Sequence, residues 1–148
     1  MIGVVLFGHE RLAGAFASAA CQIVGPMERV AVVDVLGEAA GDELERQLDQ
    51  AIEKVDSGDG VLVLTDLFGG SPANFALARM KPGRVEVVCG MNLAMLLKVF
   101  DLRRHDLRDV AVMARAVARE GQDNIVVAGD MLPRRPTGTG AVQTISEA

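Results

Sequence analysis

The sequence contains no Trp and no Tyr, and its only aromatic residues are five Phe. Half the residues are nevertheless apolar, so the core has to be filled by Val, Leu, Ala, Ile and Met. That is the composition of buried parallel strands and of the helices that cover them. An excess of positive charge is also missing. The net charge is −5, both signs are mixed along the chain, and no stripe of Lys and Arg alternates with aromatics, which argues against a nucleic-acid partner. The short basic clusters Arg103-Arg104-His105 and Arg134-Arg135 read as solvated surface. Cysteine is scarce: Cys21 and Cys89 lack the CxxC spacing of a zinc or dithiol site, and both read as small core hydrophobes. No apolar run approaches the roughly 20 residues that span a bilayer, so no direct membrane insertion is expected. The short apolar N-terminal run has no basic segment before it and is broken by Gly8-His9-Glu10-Arg11, unlike a signal peptide. A soluble, cytoplasmic protein of a single main domain is therefore expected from these 148 residues.

What is present is alternation. Five short, nearly continuous apolar runs, Ile2–Phe7, Val30–Leu36, Gly60–Leu64, Val85–Cys89 and Ile125–Ala128, have the pattern of strands buried on both faces. Helical spacing separates them. Leu12, Phe16, Ala19 and Ile23 mark a first helix, and Leu44, Leu48, Ile52 and Val55 a second, opened by Asp42 and Glu45 in the spacing of a capping box. A third begins at Ser71-Pro72 and carries Phe75, Ala78 and Arg79. Two more are expected over Asn92–Phe100 and Asp106–Glu120. The order predicts an α/β fold, an open, doubly wound, mostly parallel sheet of four to five strands with helices on both faces. The last strand follows two consecutive helices, so the crossover rule leaves it free to run antiparallel at the edge. Residues 1–130 read as the folded domain, and residues 131–148, rich in Pro, Gly, Thr and Ser, as a flexible tail.

In such sheets ligands bind at the carboxyl ends of the strands, near the point where strand order reverses. Gly8-His9-Glu10 follows the first strand, Thr65-Asp66-Leu67-Phe68-Gly69-Gly70-Ser71-Pro72 the third, and Gly90-Met91-Asn92 the fourth. Imidazole is nucleophilic and largely neutral near pH 7. A carboxylate on one ring nitrogen fixes the tautomer and leaves the other lone pair free to attack phosphorus. Asp66 is assigned that orienting role toward His9. Ser71 is expected to cap the third helix with Pro72 at its first position. Gly69 and Gly70 would turn the backbone and present N–H groups to an anion, as a helix N-terminus does. Gly69, Gly70 and Ser71 are thus the candidate phosphate-binding residues. Asp66 would favour the imidazolium form of His9 and the helix terminus would oppose it; a mostly neutral His9 is expected, with protonation aiding phosphate release. Taken singly, each residue also has a bland role: a loop histidine, a capping carboxylate, a tight turn. His105, between Arg104 and Asp106 at an expected helix start, reads as surface.

The run Leu64-Thr65-Asp66-Leu67-Phe68-Gly69-Gly70-Ser71-Pro72-Ala73-Asn74, with Gly8-His9 before it and Gly90-Met91-Asn92-Leu93-Ala94-Met95-Leu96 after it, resembles the mannose-type IIA domain of the bacterial sugar phosphotransferase system. The resemblance covers about residues 1–130. It implies a phosphotransferase that accepts a phosphoryl group from the histidine carrier protein HPr on Nε2 of His9, with Nδ1 facing Asp66. It implies transfer onward to a IIB component for sugar uptake, a homodimer in which the edge strand is exchanged in some members, and no metal or organic cofactor. Family members often have Thr-His-Gly where this chain has Gly8-His9-Glu10, and Pro where it has Ala94. Glu10 places a carboxylate beside the site that could repel a phosphorylated donor or shift partner preference. No fused IIB domain is seen in these residues, which opens a second reading, a stand-alone regulatory protein whose phosphorylation state controls partner proteins. A third, the phosphoryl-donor subunit of a dihydroxyacetone kinase, fits the Phe68–Asn74 run less well. Neither GxGxxG nor a Walker A lysine follows the first strand, so a nucleotide-binding module has least support.

Overall fold

The computed structural model describes residues 1–133. Four strands form one sheet in the order β2-β1-β3-β4: β1 (Gly3–His9), β2 (Val30–Val35), β3 (Val61–Thr65) and β4 (Val85–Cys89). Every pairing in it is parallel. The central strands β1 and β3 are buried almost throughout, which explains their unbroken apolar runs. A period of two is hidden inside those runs. Val4, Leu6, Leu62 and Leu64 point to one face, where α1 (Leu12–Val24), α4 (Leu93–Arg104) and α5 (Val110–Asp123) cover them. Val5, Phe7, Val61 and Val63 point to the other, beneath α2 (Gly41–Val55) and α3 (Ser71–Leu77). The sheet is doubly wound, and its order reverses between β1 and β3.

Several expectations need correction. Ile125–Ala128 forms no strand: Ile125, Val126 and Val127 join no ladder and are 79, 60 and 70% exposed, and a 3-10 turn, Ala128–Met131, follows. An apolar run becomes a strand only where a neighbour supplies a ladder, and among the described residues none does so here. No antiparallel edge strand exists among them either. Asp42 does not cap α2. Ala40 holds the cap position, and Asp42 lies with Glu43 in the first turn, where their charges complement the helix dipole. Its expected partner Glu45 pairs instead with Arg79. The helix expected from Asp106 starts at Val110, capped by the Asp109 carboxylate, which accepts from the N–H groups of Ala111 and Val112. Cys21 is exposed rather than buried, because α1 turns Ala13 and Ala20 inward and the next residue lies about 100° further round. Cys89 is half-buried. The expected tail, with Arg134 and Arg135, lies almost wholly outside the described residues.

Arg103 is not free surface. Its guanidinium reaches beneath the sheet and donates to the carbonyls of Ile2 at 2.6 Å, Glu28 at 2.8 Å and Arg29 at 3.1 Å. It thereby ties the entrances of β1 and β2 to the end of α4. Burial, aided by the charge of Arg29, pulls its pKa down to about 10, which leaves it cationic at neutral pH. Arg103→Met should strip these carbonyls of their donor and lower stability by about 2–4 kcal/mol in urea unfolding. An unchanged midpoint would mean that water satisfies the carbonyls equally well.

Candidate active site

The strand order reverses at the carboxyl ends of β1 and β3, and the last residue of β1 is His9. One residue past β3 stands Asp66. A single oxygen of its carboxylate, Oδ2, accepts two bonds from His9: the backbone N–H at 2.7 Å and the ring Nδ1–H at 3.0 Å. The histidine side chain is 47% exposed, whereas that of Asp66 is only 7% exposed. Burial opposes ionisation of Asp66, but the bonds from the His9 backbone and ring, with the Leu67 N–H, outweigh it and hold the carboxyl below its ordinary range. With Asp66 ionised, Nδ1 carries the ring proton and Nε2 keeps its lone pair. The ring is thus held through Nδ1, with Nε2 turned away from the carboxylate.

The Gly-Gly-Ser turn meets this ring, in an arrangement that differs from the expected one. Gly69 makes the turn at φ +86 and is exposed. Gly70, rather than Ser71, occupies the cap of α3, and no side chain bonds there. A Cβ at Gly70 would stand 2.8 Å from His9 Cε1, so the cap position must be bare for the imidazole to fit. Ser71 and Pro72 shift to the first and second helical positions. The N–H of Gly70 is taken by the Leu67 carbonyl at 3.3 Å. The first-turn N–H groups left without intrahelical acceptors are therefore those of Ser71 and Ala73, since Pro72 has none.

A cavity of about 370 Å³ opens beside the ring, lined in part by His9, Glu10, Gly37, Glu38, Ser71 and Phe75. Its far wall comes from the loop between β2 and α2, which the sequence reading passed over. The signal was available, because Leu36-Gly37-Glu38 also follows the carboxyl end of a strand. Asp34 on β2 is a second contributor that was missed: its Oδ1 accepts the Gly14 N–H at 3.0 Å and so holds the first turn of α1 behind His9. Asn92 stands at the same rim but is committed to its helix, accepting from the Met95 N–H and donating to the Gly121 carbonyl. His105 lies at the far end of α4, about 18 Å along that helix, exposed, with Nδ1 bonded to the Asp101 carbonyl. Among the described residues no three His, Cys, Asp or Glu side chains converge as a metal site requires, and no helix is long and apolar enough to cross a membrane.

Residues 3–117 match the family described as PTS system fructose IIA component, of the EIIA-man type. The fructose-specific EIIA component of Bacillus subtilis is 29% identical over 122 residues, covering 81% of this chain and 84% of that protein. The mannose-specific EIIAB component of Escherichia coli is 29% identical over 124 residues, but the match takes in only 38% of that longer protein. Among solved structures, the phosphotransferase system component EIIA from Streptococcus agalactiae superposes with a TM-score of 0.78 at 24% identity, over 88% of this chain and 99% of that one. This last likeness shows the fold.

The shifted carboxyl of Asp66 gives the fold a pH signature. Its native pKa lies below the ordinary 3.8, so it stabilises the folded state above that value and loses this contribution as pH falls through the native one. In chemical unfolding, Asp66→Asn should be less stable than the parent at pH 7. The difference should shrink as the pH is lowered toward 3. A gap independent of pH would show that the ionised carboxylate is not the stabilising species.

Proposed function

The chain belongs to the mannose-type family of phosphotransferase-system IIA components, phosphoryl carriers of sugar transport, and on that premise we propose that it carries its phosphoryl group on Nε2 of His9. The observation that carries this reading is the His9–Asp66 pair, with Nδ1 engaged at 3.0 Å and an open cavity beside the ring. The donor is the phosphohistidine of the carrier protein HPr and the recipient a IIB component. In each exchange one N–P bond breaks as another forms, and the proton on Nδ1 stays in place. Asp66 holds the tautomer and stabilises the charge that develops on the ring. The N–H groups of Ser71 and Ala73, with the Ser71 hydroxyl, face the phosphoryl oxygens at the start of α3, while Gly69 and Gly70 shape the turn. The reading invokes no metal or organic cofactor, places the carrier domain in residues 1–130, and puts it in the cytoplasm, where such donors and recipients meet.

A homodimer accompanies this reading. Beyond the Lys81–Val85 bridge the outer edge of β4 is open in the described residues, and Phe68, Ile125, Val126 and Val127 are exposed apolar side chains on neighbouring segments. A second copy would supply the ladder that Ile125–Val127 lacks. Sedimentation at micromolar concentration should give a species of twice the chain mass; a monomer would count against the pairing.

Incubation with phosphoenolpyruvate, enzyme I and HPr, followed by intact mass measurement, tests the chemistry. One acid-labile phosphoryl adduct is expected on the parent chain and none on His9→Ala. Asp66→Asn should label about a hundredfold more slowly while remaining folded. Normal labelling of His9→Ala would overturn the site.

A further inference from the structure

Glu10, next to the candidate nucleophile, has its backbone at φ 48. Residues with a Cβ enter that left-handed region only under constraint. Two hydrogen bonds supply it. The Glu10 N–H donates to the Val35 carbonyl at 2.8 Å, and Glu10 Oε1 accepts the Gly37 N–H at 3.2 Å. The carboxylate is thereby pinned to the β2–α2 loop, on the wall of the cavity beside His9. Glu38 adds a second carboxylate to that wall, and among the described residues no Lys or Arg lines the cavity. A pocket meant to retain a phosphate would place cations there; the described residues offer this one a fixed negative charge, amide donors and the Ser71 hydroxyl. Free side chains could swing away from an arriving anion. Glu10 is held by its backbone conformation and its bond to Gly37, so the repulsion is built in.

We propose that Glu10 sets the phosphoryl-transfer potential of His9, its pinned carboxylate destabilising the phosphohistidine and so driving the group on to the recipient. The inference rests on the reading of His9 as acceptor. The exchange itself moves a phosphoryl group between two imidazole nitrogens, one N–P bond breaking as the other forms, with no further reactant. Glu10 touches neither bond. It acts through the field it places on the phosphoryl oxygens, and its influence is therefore on the equilibrium between the two carriers.

Glu10→Gln separates charge from architecture, because Gln keeps the chain length and an oxygen for the Gly37 N–H. The measurement is the equilibrium ratio of phosphorylated to free protein in the presence of phosphorylated HPr, at low and at high salt. Removing the charge should shift the ratio toward the phosphorylated form by about three- to fivefold at low salt, and the shift should shrink as salt screens the pair. Glu10→Ala, which loses the tie as well, should shift it by a similar factor. Equal ratios for Glu10→Gln and the parent would overturn the proposal, as would a shift confined to Glu10→Ala, which would assign the effect to the tie. An unphosphorylated His9 in the parent chain would overturn the acceptor reading itself, and this inference with it.

Discussion

The parallel pairing of β1 with β3 is the constraint from which the rest of the site follows. Phe7 lies opposite Thr65 in that ladder, so Asp66 emerges beside Gly8, one residue short of the end of β1 at His9. His9 and Asp66 are 57 residues apart in sequence, yet a single carboxylate oxygen bonds both the backbone and the ring of the histidine. The backbone bond fixes where β1 ends, and the ring bond fixes where the imidazole points. A slip of one residue in the ladder would turn every side chain of the strand to the opposite face and separate the pair. The continuous burial of Val4 to Phe7 and of Val61 to Thr65 is what prevents that slip.

Two opposed demands meet at this pair. In the proposed carrier, a nucleophile has to be reachable, whereas the group that orients it works best away from water. The structure resolves this by exposure, leaving the histidine about half open and the aspartate closed. Closing the aspartate penalises its charge, and the hydrogen bonds from His9 and Leu67 more than compensate. Room for this packing comes from missing side chains. A Cβ at Gly8 would lie 3.2 Å from Asp66 Oδ2, and one at Gly70 would lie 2.8 Å from the imidazole. The glycines near the site are therefore spacers as much as turns.

Much of this could be read from the residues. Continuous Val, Leu and Ile runs separated by helical spacing pointed to β1 through β4 and to a doubly wound sheet, and the positions of His9 and Asp66 after the first and third runs brought them to one rim. The failures share a physical cause: local pattern does not report what a segment packs against. Ile125–Val127 has the composition of a strand but no neighbour among the described residues. Arg103 sits in a basic cluster, yet three carbonyls of other elements surround it. Ser71 has the chemistry of a cap, but the imidazole in front of that position admits only glycine. Cys21 lies in an apolar helix, and only its phase relative to Ala13 and Ala20 sends it outward. Glu10 was noticed as a charge near the site; its bond to Gly37 depends on how two loops fold together and is invisible in either one alone.

The strand order also has a bearing on how such a protein could diversify. Both residues of the central pair come from β1 and β3, the inner strands, whose hydrogen-bonding edges are fully occupied by their neighbours. The unsatisfied edges belong to β2 and β4. A segment that adds to either margin, from this chain or another, extends the ladder without touching the register that aligns histidine and aspartate. The open edges and the His9–Asp66 pair thus occupy separate parts of one sheet. Strands or chains added at the margins would leave the His9–Asp66 geometry at the centre intact.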